Sequence, residues 1–250
     1  MIEIKNSDEI KLIEKACKIT AETLLLMKEN AKIGVSTLYL DEIAYRNILK
    51  NNAKPAFLGY RGYPKTSCIS INEEVIHGIP SQDKIIKNGD VVSIDLGVVY
   101  DGYYGDAATT FIVGTPKNHS HIKLVEVCYN ALNEGIGVIR EGARLGDVSY
   151  AIGSYVFKNK MSVLKNFTGH GIGRRLHEEP SIFNFGIKGT GPLLRNGMTL
   201  AIEPMITLGS GDVYIKKDNW TVITSDGSYA AHFEHTVLVT ENGARILTKI

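Results

Sequence analysis

Two runs of β-favouring residues, 91-VVSIDLGVVY-100 and 103-YYGDAATTFIV-113, are separated only by Asp101-Gly102. Asp-Gly between such runs is a strong signal for a two-residue hairpin turn, because both central residues must take positive φ. The pairing is then fixed: Tyr100 faces Tyr103 and Gly97 faces Asp106. Helical patterns precede the hairpin. Asn6 or Ser7 can cap a helix to about Asn30, with Ile10, Ile13, Cys17, Thr20, Leu24 and Met27 at near-helical spacing. Gly34 ends that pattern, and a second helix is expected from Thr37 to Lys50. Helical patterns return over 121–139 and 147–158, and a second β-rich region runs from Met198 to Leu247.

The order helix–helix–hairpin thus occurs twice. His77-Gly78-Ile79 recurs as His170-Gly171-Ile172. Asn88-Gly89 opens a strand whose sixth residue after the glycine is Asp95, and Asn196-Gly197 leads in the same way to Glu203. Asp106 precedes Thr-Thr-Phe-Ile-Val, and Glu234 precedes His-Thr-Val-Leu-Val. These matches predict two halves related by a pseudo-two-fold and fused into one domain spanning 1–250, of α+β class.

Composition narrows the function. With 28 basic and 27 acidic residues the net charge is +1, which gives no electrostatic case for nucleic acid. Cys17, Cys68 and Cys128 are far apart, so neither a disulfide framework nor a zinc ribbon is supported. The first twenty residues are too charged for a signal peptide, and no run has the roughly 18 apolar residues of a membrane span. The expectation is a soluble cytoplasmic protein.

Asp95 lies two residues from Gly97, so Asp95 and Asp106 project from one sheet face as diagonal neighbours, with Cα atoms about 7–8 Å apart. Two aspartates near a turn are ordinarily a solvated sheet face. Glu203 is not explained that way, because in 198-MTLAIEPMI-206 it is apolar on both sides, where a carboxylate must be paired or coordinated. Glu234, in AAHFEHTVLV, has a similar setting. Four carboxylates converging from two hairpins, with a histidine near, make a candidate two-metal site. Oxygen-rich ligation with one imidazole suits Mn, Fe, Co or Zn without choosing among them. His232 and His235 flank Glu234 and are read as structural, on the strand face away from it.

The segment 166-NFTGHGIGRRLHEEP-180 holds two histidines seven residues apart among glycines. A zincin pair needs i, i+4 spacing on a helix, and a dinucleotide loop needs a helix opening at its end. The glycines oppose the first and Pro180 the second.

The chain resembles the type I methionine aminopeptidases, short "pita-bread" metallopeptidases. The motifs that carry the resemblance are GYRGYPKTSCISINEEVIHGIP, NGDVVSIDLG, YYGDAATTFIVG, GHGIGRRLHEEP, NGMTLAIEP and FEHTVLVTENG, in order and nearly end to end. The resemblance implies a curved antiparallel sheet backed by helices. It further implies two divalent ions (Co, Mn, Fe or Zn) held by Asp95, Asp106, His170, Glu203 and Glu234, with Asp106 and Glu234 bridging. His77 and His177 would contact substrate and assist catalysis, and Glu203 is the expected proton acceptor. The methionine side chain would meet Phe57, Tyr60, Tyr63, Cys68, His77, Leu176 and Trp220. Leu176 stands where many members carry an aromatic ring, and Phe57 where some carry cysteine. The implied substrates are nascent chains with N-terminal Met; the implied protein is a monomer with transient ribosome contact. An Xaa-Pro peptidase is the rival enzyme, and a non-enzymatic peptide-binding relative the rival of another class. Arg174-Arg175 and Lys216-Lys217 are read as solvated charges.

Overall fold

Four helices form where the sequence pattern places them in the computed structural model, which describes residues 2–249. Asn6 caps α1 (Ser7–Asn30): its Oδ1 accepts from the Asp8 and Glu9 amides, and the Glu9 carboxylate accepts from the Asn6 amide. This capping box satisfies donors that a helix start otherwise leaves bare. Ser36 caps α2 (Thr37–Lys50) and Asn118 caps α3 (His119–Gly137), while α4 spans Leu145–Lys158. Both later helices begin two residues before the expected positions, a shift that apolar periodicity does not resolve.

Asp101 and Gly102 take φ of 47° and 81°, the turn that the Asp-Gly pair requires. Strands Asp90–Tyr100 and Tyr103–Val113 pair with Tyr100 opposite Tyr103 and Gly97 opposite Asp106. Strand alternation then divides the hairpin. Ile94, Leu96, Val98 and Ala107 pack with Leu24, Met27, Leu40 and Ile48 of α1 and α2. Asp95 and Asp106 occupy the other face. A second core cluster joins Leu124, Cys128 and Leu132 of α3 and Val148 and Ile152 of α4 to Leu200, Ile202, Val237 and Val239. Truncating one such fully buried leucine to alanine would cost roughly 2–5 kcal/mol.

The hairpin lies within a nine-stranded antiparallel sheet. From its outer edge inward, Lys54–Pro55 pairs with Asp90–Tyr100, then come Tyr103–Val113, Glu234–Thr240, Thr199–Ile202, Thr168–Gly171 and Glu178–Phe183. Ser67–Ile71 also pairs with Asp90–Tyr100, and Gly243–Ile246 with Glu234–Thr240. The two halves meet where Tyr103–Val113 pairs with Glu234–Thr240.

The repeat departs from expectation in two places. The second pair of arms, Thr199–Ile202 and Glu234–Thr240, are neighbours but not a tight hairpin. Pro204 has no N–H for the ladder, and the chain leaves to build two small sheets before returning. The His-Gly-Ile match does not carry over either. His170 lies in the strand beside Thr199–Ile202, whereas the strand in the corresponding place beside Asp90–Tyr100 is Ser67–Ile71. His77 falls outside it, just beyond the short strand Glu74–Ile76.

Candidate metal centre and its pocket

Sheet register brings the acidic residues together. Asp95 sits opposite Ala108, as does Glu234 from the other side, so both flank the strand that carries Asp106. His170 is opposite Ala201, and Glu203 follows Ile202 at the end of that same strand. Ligand atoms of Asp106, His170 and Glu234 all lie within 4.8 Å of one another. His170 Nε2 is 3.4 Å from Glu203 Oε1. Two donors on one ion at about 2.1 Å each stand about 3 Å apart, so this gap is the size of a shared coordination edge.

The electrostatics are those of an ion-binding cluster. Burial and the charge of Asp106 push the Asp95 carboxyl well above the usual range, and burial lifts Asp106 to about 7. Burial, with the neighbouring carboxylates, does the same to Glu203 and Glu234. Asp95 Oδ1, Asp106 Oδ1 and Glu234 Oε1 are buried with no hydrogen-bond partner. Unpaired buried carboxylate oxygens are costly, and a divalent cation offsets both their desolvation and their mutual repulsion. His170 completes the donor set. Its Nδ1 lies 2.9 Å from the Gly171 carbonyl, which can only accept, so the proton sits there and Nε2 keeps its lone pair. Burial lowers this imidazole to about 3, so it stays neutral. The residues therefore fit divalent metal ions.

The glycines beside His170 serve close approach. A Cβ on Gly169 would stand 2.4 Å from the Ala201 carbonyl oxygen, and one on Gly171 would stand 2.1 Å from that of Glu179. Only glycine lets this strand insert between its neighbours. The residues after Gly173 form no helix; Glu178–Phe183 is a strand. His177 returns to place its ring 4.3 Å from that of His170, centroid to centroid. The Tyr60 hydroxyl is 2.9 Å from His177 Nδ1, and the two rings stack.

A cavity of about 170 Å³ lies over the cluster, and every candidate site residue lines it. Asp95, Asp106, His170, Glu203 and Glu234 form one end. Phe57, Tyr63, Cys68 and Leu176 form a buried apolar wall, and Cys68 pairs directly opposite Asp95. Burial keeps the Cys68 thiol protonated. Trp220 meets Tyr63 and His77 edge-on, at 5.1 and 6.3 Å between centroids. His77 has φ of 57°, rare for a residue with a Cβ, and burial lowers its imidazole to about 4. Tyr60, His177 and Trp220 are the less buried residues at the mouth.

Other features lie beyond the sequence reading. Arg61 lines the mouth, stacks over Tyr60 and helps lower the His177 imidazole. Lys5 and Glu178 form a buried ion pair at 2.6 Å, tying the N-terminal segment to the residue after His177. Arg174 pairs with Glu9 at 2.9 Å, and Lys216 reaches the buried Glu74 at 3.2 Å, so neither is merely solvated. His232 needs correction. Two residues from Glu234, it shares the side of the chain that faces the cluster, and its Nε2 is 3.6 Å from Glu203 Oε2. His235, one residue on, does point away, with Nδ1 2.9 Å from Thr248 Oγ1.

Known proteins resemble this chain in sequence and in fold. Residues 11–241 match the model of metallopeptidase family M24. A methionine aminopeptidase from Clostridium acetobutylicum is 46% identical over 248 residues, covering 99% of each chain. A crystal structure of methionine aminopeptidase from Thermotoga maritima superposes with a TM-score of 0.98 at 47% identity, each chain covered in full. A prolidase from Pyrococcus furiosus gives a TM-score of 0.80 at 29% identity, covering 99% of this chain and 65% of that one. The curled antiparallel sheet with its helical backing is the pita-bread fold of these structures. The chain belongs to metallopeptidase family M24.

Proposed function

We propose that this protein is a methionine aminopeptidase that hydrolyses the first peptide bond of nascent chains with two divalent metal ions. The observation that carries the reading is a cavity whose apolar wall runs directly into the carboxylate cluster, with Cys68 opposite Asp95. An unbranched thioether suits a wall of aromatic and aliphatic groups. Asp95, Asp106, His170, Glu203 and Glu234 would hold the ions, with Asp106 and Glu234 between them. When bound, such ions activate water at neutral pH and polarise the scissile carbonyl.

The side chains do the rest. Glu203 accepts the proton released from the attacking water. His177 and His77, both held neutral by burial, donate N–H to the developing negative charge and to the leaving amide. In the tautomer where the Tyr60 hydroxyl donates to His177 Nδ1, the proton of that ring sits on Nε2, free to donate. The less buried residues of the mouth leave the rest of the peptide a way out. A cytoplasmic monomer in transient contact with the ribosome belongs to the same proposal, and gel filtration with ribosome cosedimentation checks it.

The test is the metal-reconstituted protein on Met-Ala-Ser and on Ala-Pro-Ala. Methionine release from the first, lost on chelation and restored by Co²⁺ or Mn²⁺, is expected. Turnover of Ala-Pro-Ala alone would replace this reading with a proline-specific peptidase, and full turnover in exhaustively metal-stripped protein would refute it.

A further inference from the structure

His232 is 2% exposed, its Nε2 has no hydrogen-bond partner, and that atom lies 3.6 Å from Glu203 Oε2. Glu203 thus stands between two imidazoles, since its Oε1 lies 3.4 Å from His170 Nε2. The two rings present opposite chemistry. The His170 proton is committed to the Gly171 carbonyl, so its Nε2 offers a lone pair. A neutral imidazole has one proton, and a lone pair aimed at a carboxylate oxygen would be repelled. Against the ionised Glu203 of a metal-loaded site, the favoured tautomer of His232 therefore carries its proton on Nε2.

The backbone holds this ring in place. The His232 amide donates to Thr110 Oγ1 at 3.0 Å, and the Thr110 hydroxyl donates to the His232 carbonyl at 2.6 Å. Ser93 Oγ, 2.8 Å from Thr110 Oγ1, supplies the remaining donor. His232 also pairs with Met205, two residues after Glu203, so the ring sits beside the short link that carries the Glu203 carboxylate into Met205–Thr207.

We infer that His232 is a positioning residue: its Nε2, 3.6 Å from Glu203 Oε2 and just beyond hydrogen-bond distance in the metal-free fold, is placed to donate to that oxygen when Glu203 holds metal, and so to present Oε1 to the edge beside His170. This rests on the metallopeptidase reading of the site. Outer partners of this kind orient ligating carboxylates, and their loss typically weakens metal affinity 10–100-fold. Without the donor the Glu203 carboxylate is free to rotate, and kcat should fall while KM for a short peptide changes little, because the apolar wall is untouched.

The test compares His232→Leu, which keeps bulk without a donor, with His232→Gln, which restores an N–H. Co²⁺ binding is measured by calorimetry, kcat and KM on Met-Ala-Ser, and Tm on the metal-stripped proteins. The expected result is a 10–100-fold weaker Co²⁺ affinity and a matching fall in kcat for His232→Leu, substantial recovery in His232→Gln, and closely similar metal-free Tm values. Wild-type Co²⁺ affinity in His232→Leu would overturn the inference. So would loss of affinity in both variants accompanied by a lower metal-free Tm, which would make the ring a packing element. Failure of the wild type to bind Co²⁺ would instead overturn the metallopeptidase reading beneath it.

Discussion

Replacing Asp106 with asparagine should make the metal-free protein more stable while removing its response to metal. Burial lifts this carboxyl from 3.8 in an exposed chain to about 7 in the fold. Between those values the folded protein keeps a proton that the unfolded chain has released. Stability of the metal-free protein therefore falls as pH rises through this window, by about 1.4 kcal/mol per pH unit. The cost is on the order of 4 kcal/mol above neutral pH and less than half of that near pH 5. Asparagine carries no charge at any pH and also relieves Asp95, Glu203 and Glu234, each of which Asp106 raises. Metal-stripped Asp106→Asn should therefore melt several degrees above wild type near pH 8, at ~2–4 °C per kcal/mol for a chain of this size, with a smaller margin near pH 5. Added Co²⁺ at more than about a thousand times its Kd should cancel that margin, since a ligand at that level stabilises by about 4.1 kcal/mol and the variant has lost an oxygen of the proposed ligand set. Differential scanning calorimetry at both pH values, with and without Co²⁺, reads all four quantities. A metal-stripped variant that melts below wild type near pH 8, or a margin that does not shrink near pH 5, would refute the electrostatic account.

Three further outcomes are expected. His170→Ala should lose metal content along with activity, whereas His177→Ala should keep its metal and lose on the order of 10²–10³ in kcat; equal metal loss, by elemental analysis beside kinetics, would contradict these roles. Lys5→Met leaves Glu178 buried without its partner and should cost about 3–5 kcal/mol in urea denaturation, a loss absent if the pair contributes nothing. Norleucine-Ala-Ser should be cleaved nearly as well as Met-Ala-Ser and Lys-Ala-Ser hardly at all, because a missing or misplaced methyl costs ~1–3 kcal/mol and an unpaired buried charge far more. Leu176→Phe should alter that series without altering Co²⁺ affinity, and equal cleavage of Lys and Met peptides would show the apolar wall to be misassigned.

The first half of the site was legible because a two-residue turn leaves no freedom of register. Once Asp101-Gly102 sets Gly97 against Asp106, the common face of Asp95 and Asp106 follows from the pleat. The second half was legible from the repeat and from the apolar setting of its glutamates, but not from register. Pro204 breaks its hairpin, so the approach of Glu203 to Glu234 depends on the chain between them, which no local pattern describes. The backbone conformation of His77 is hidden for a different reason: positive φ at a non-glycine residue is imposed by tertiary contacts and leaves no mark on spacing. The Lys5–Glu178 pair joins positions 173 residues apart and has no local signal at all. His232 was within reach, since a period of two puts it on the same side as Glu234.

The seam between the halves explains why these candidate ligands occur as a set. Asp106 and Thr236 bond reciprocally across it: the Asp106 amide donates to Thr236 Oγ1 at 3.1 Å, and that hydroxyl donates to the Asp106 carbonyl at 2.7 Å. Thr110 and His232 repeat the arrangement with the residues' roles exchanged between halves. Asp95 and Asp106 come from one half; His170, Glu203 and Glu234 come from the other. The strand pairing therefore presses like charges together, and the two stitches hold that repulsion in the metal-free fold. Cations bridging Asp106 and Glu234 would join the halves at the place where charge repulsion pushes them apart. Metal affinity and cohesion of the seam are then linked quantities, because what binds only the folded state stabilises it. A substitution that loosens the seam should weaken metal binding even where it touches no ligand.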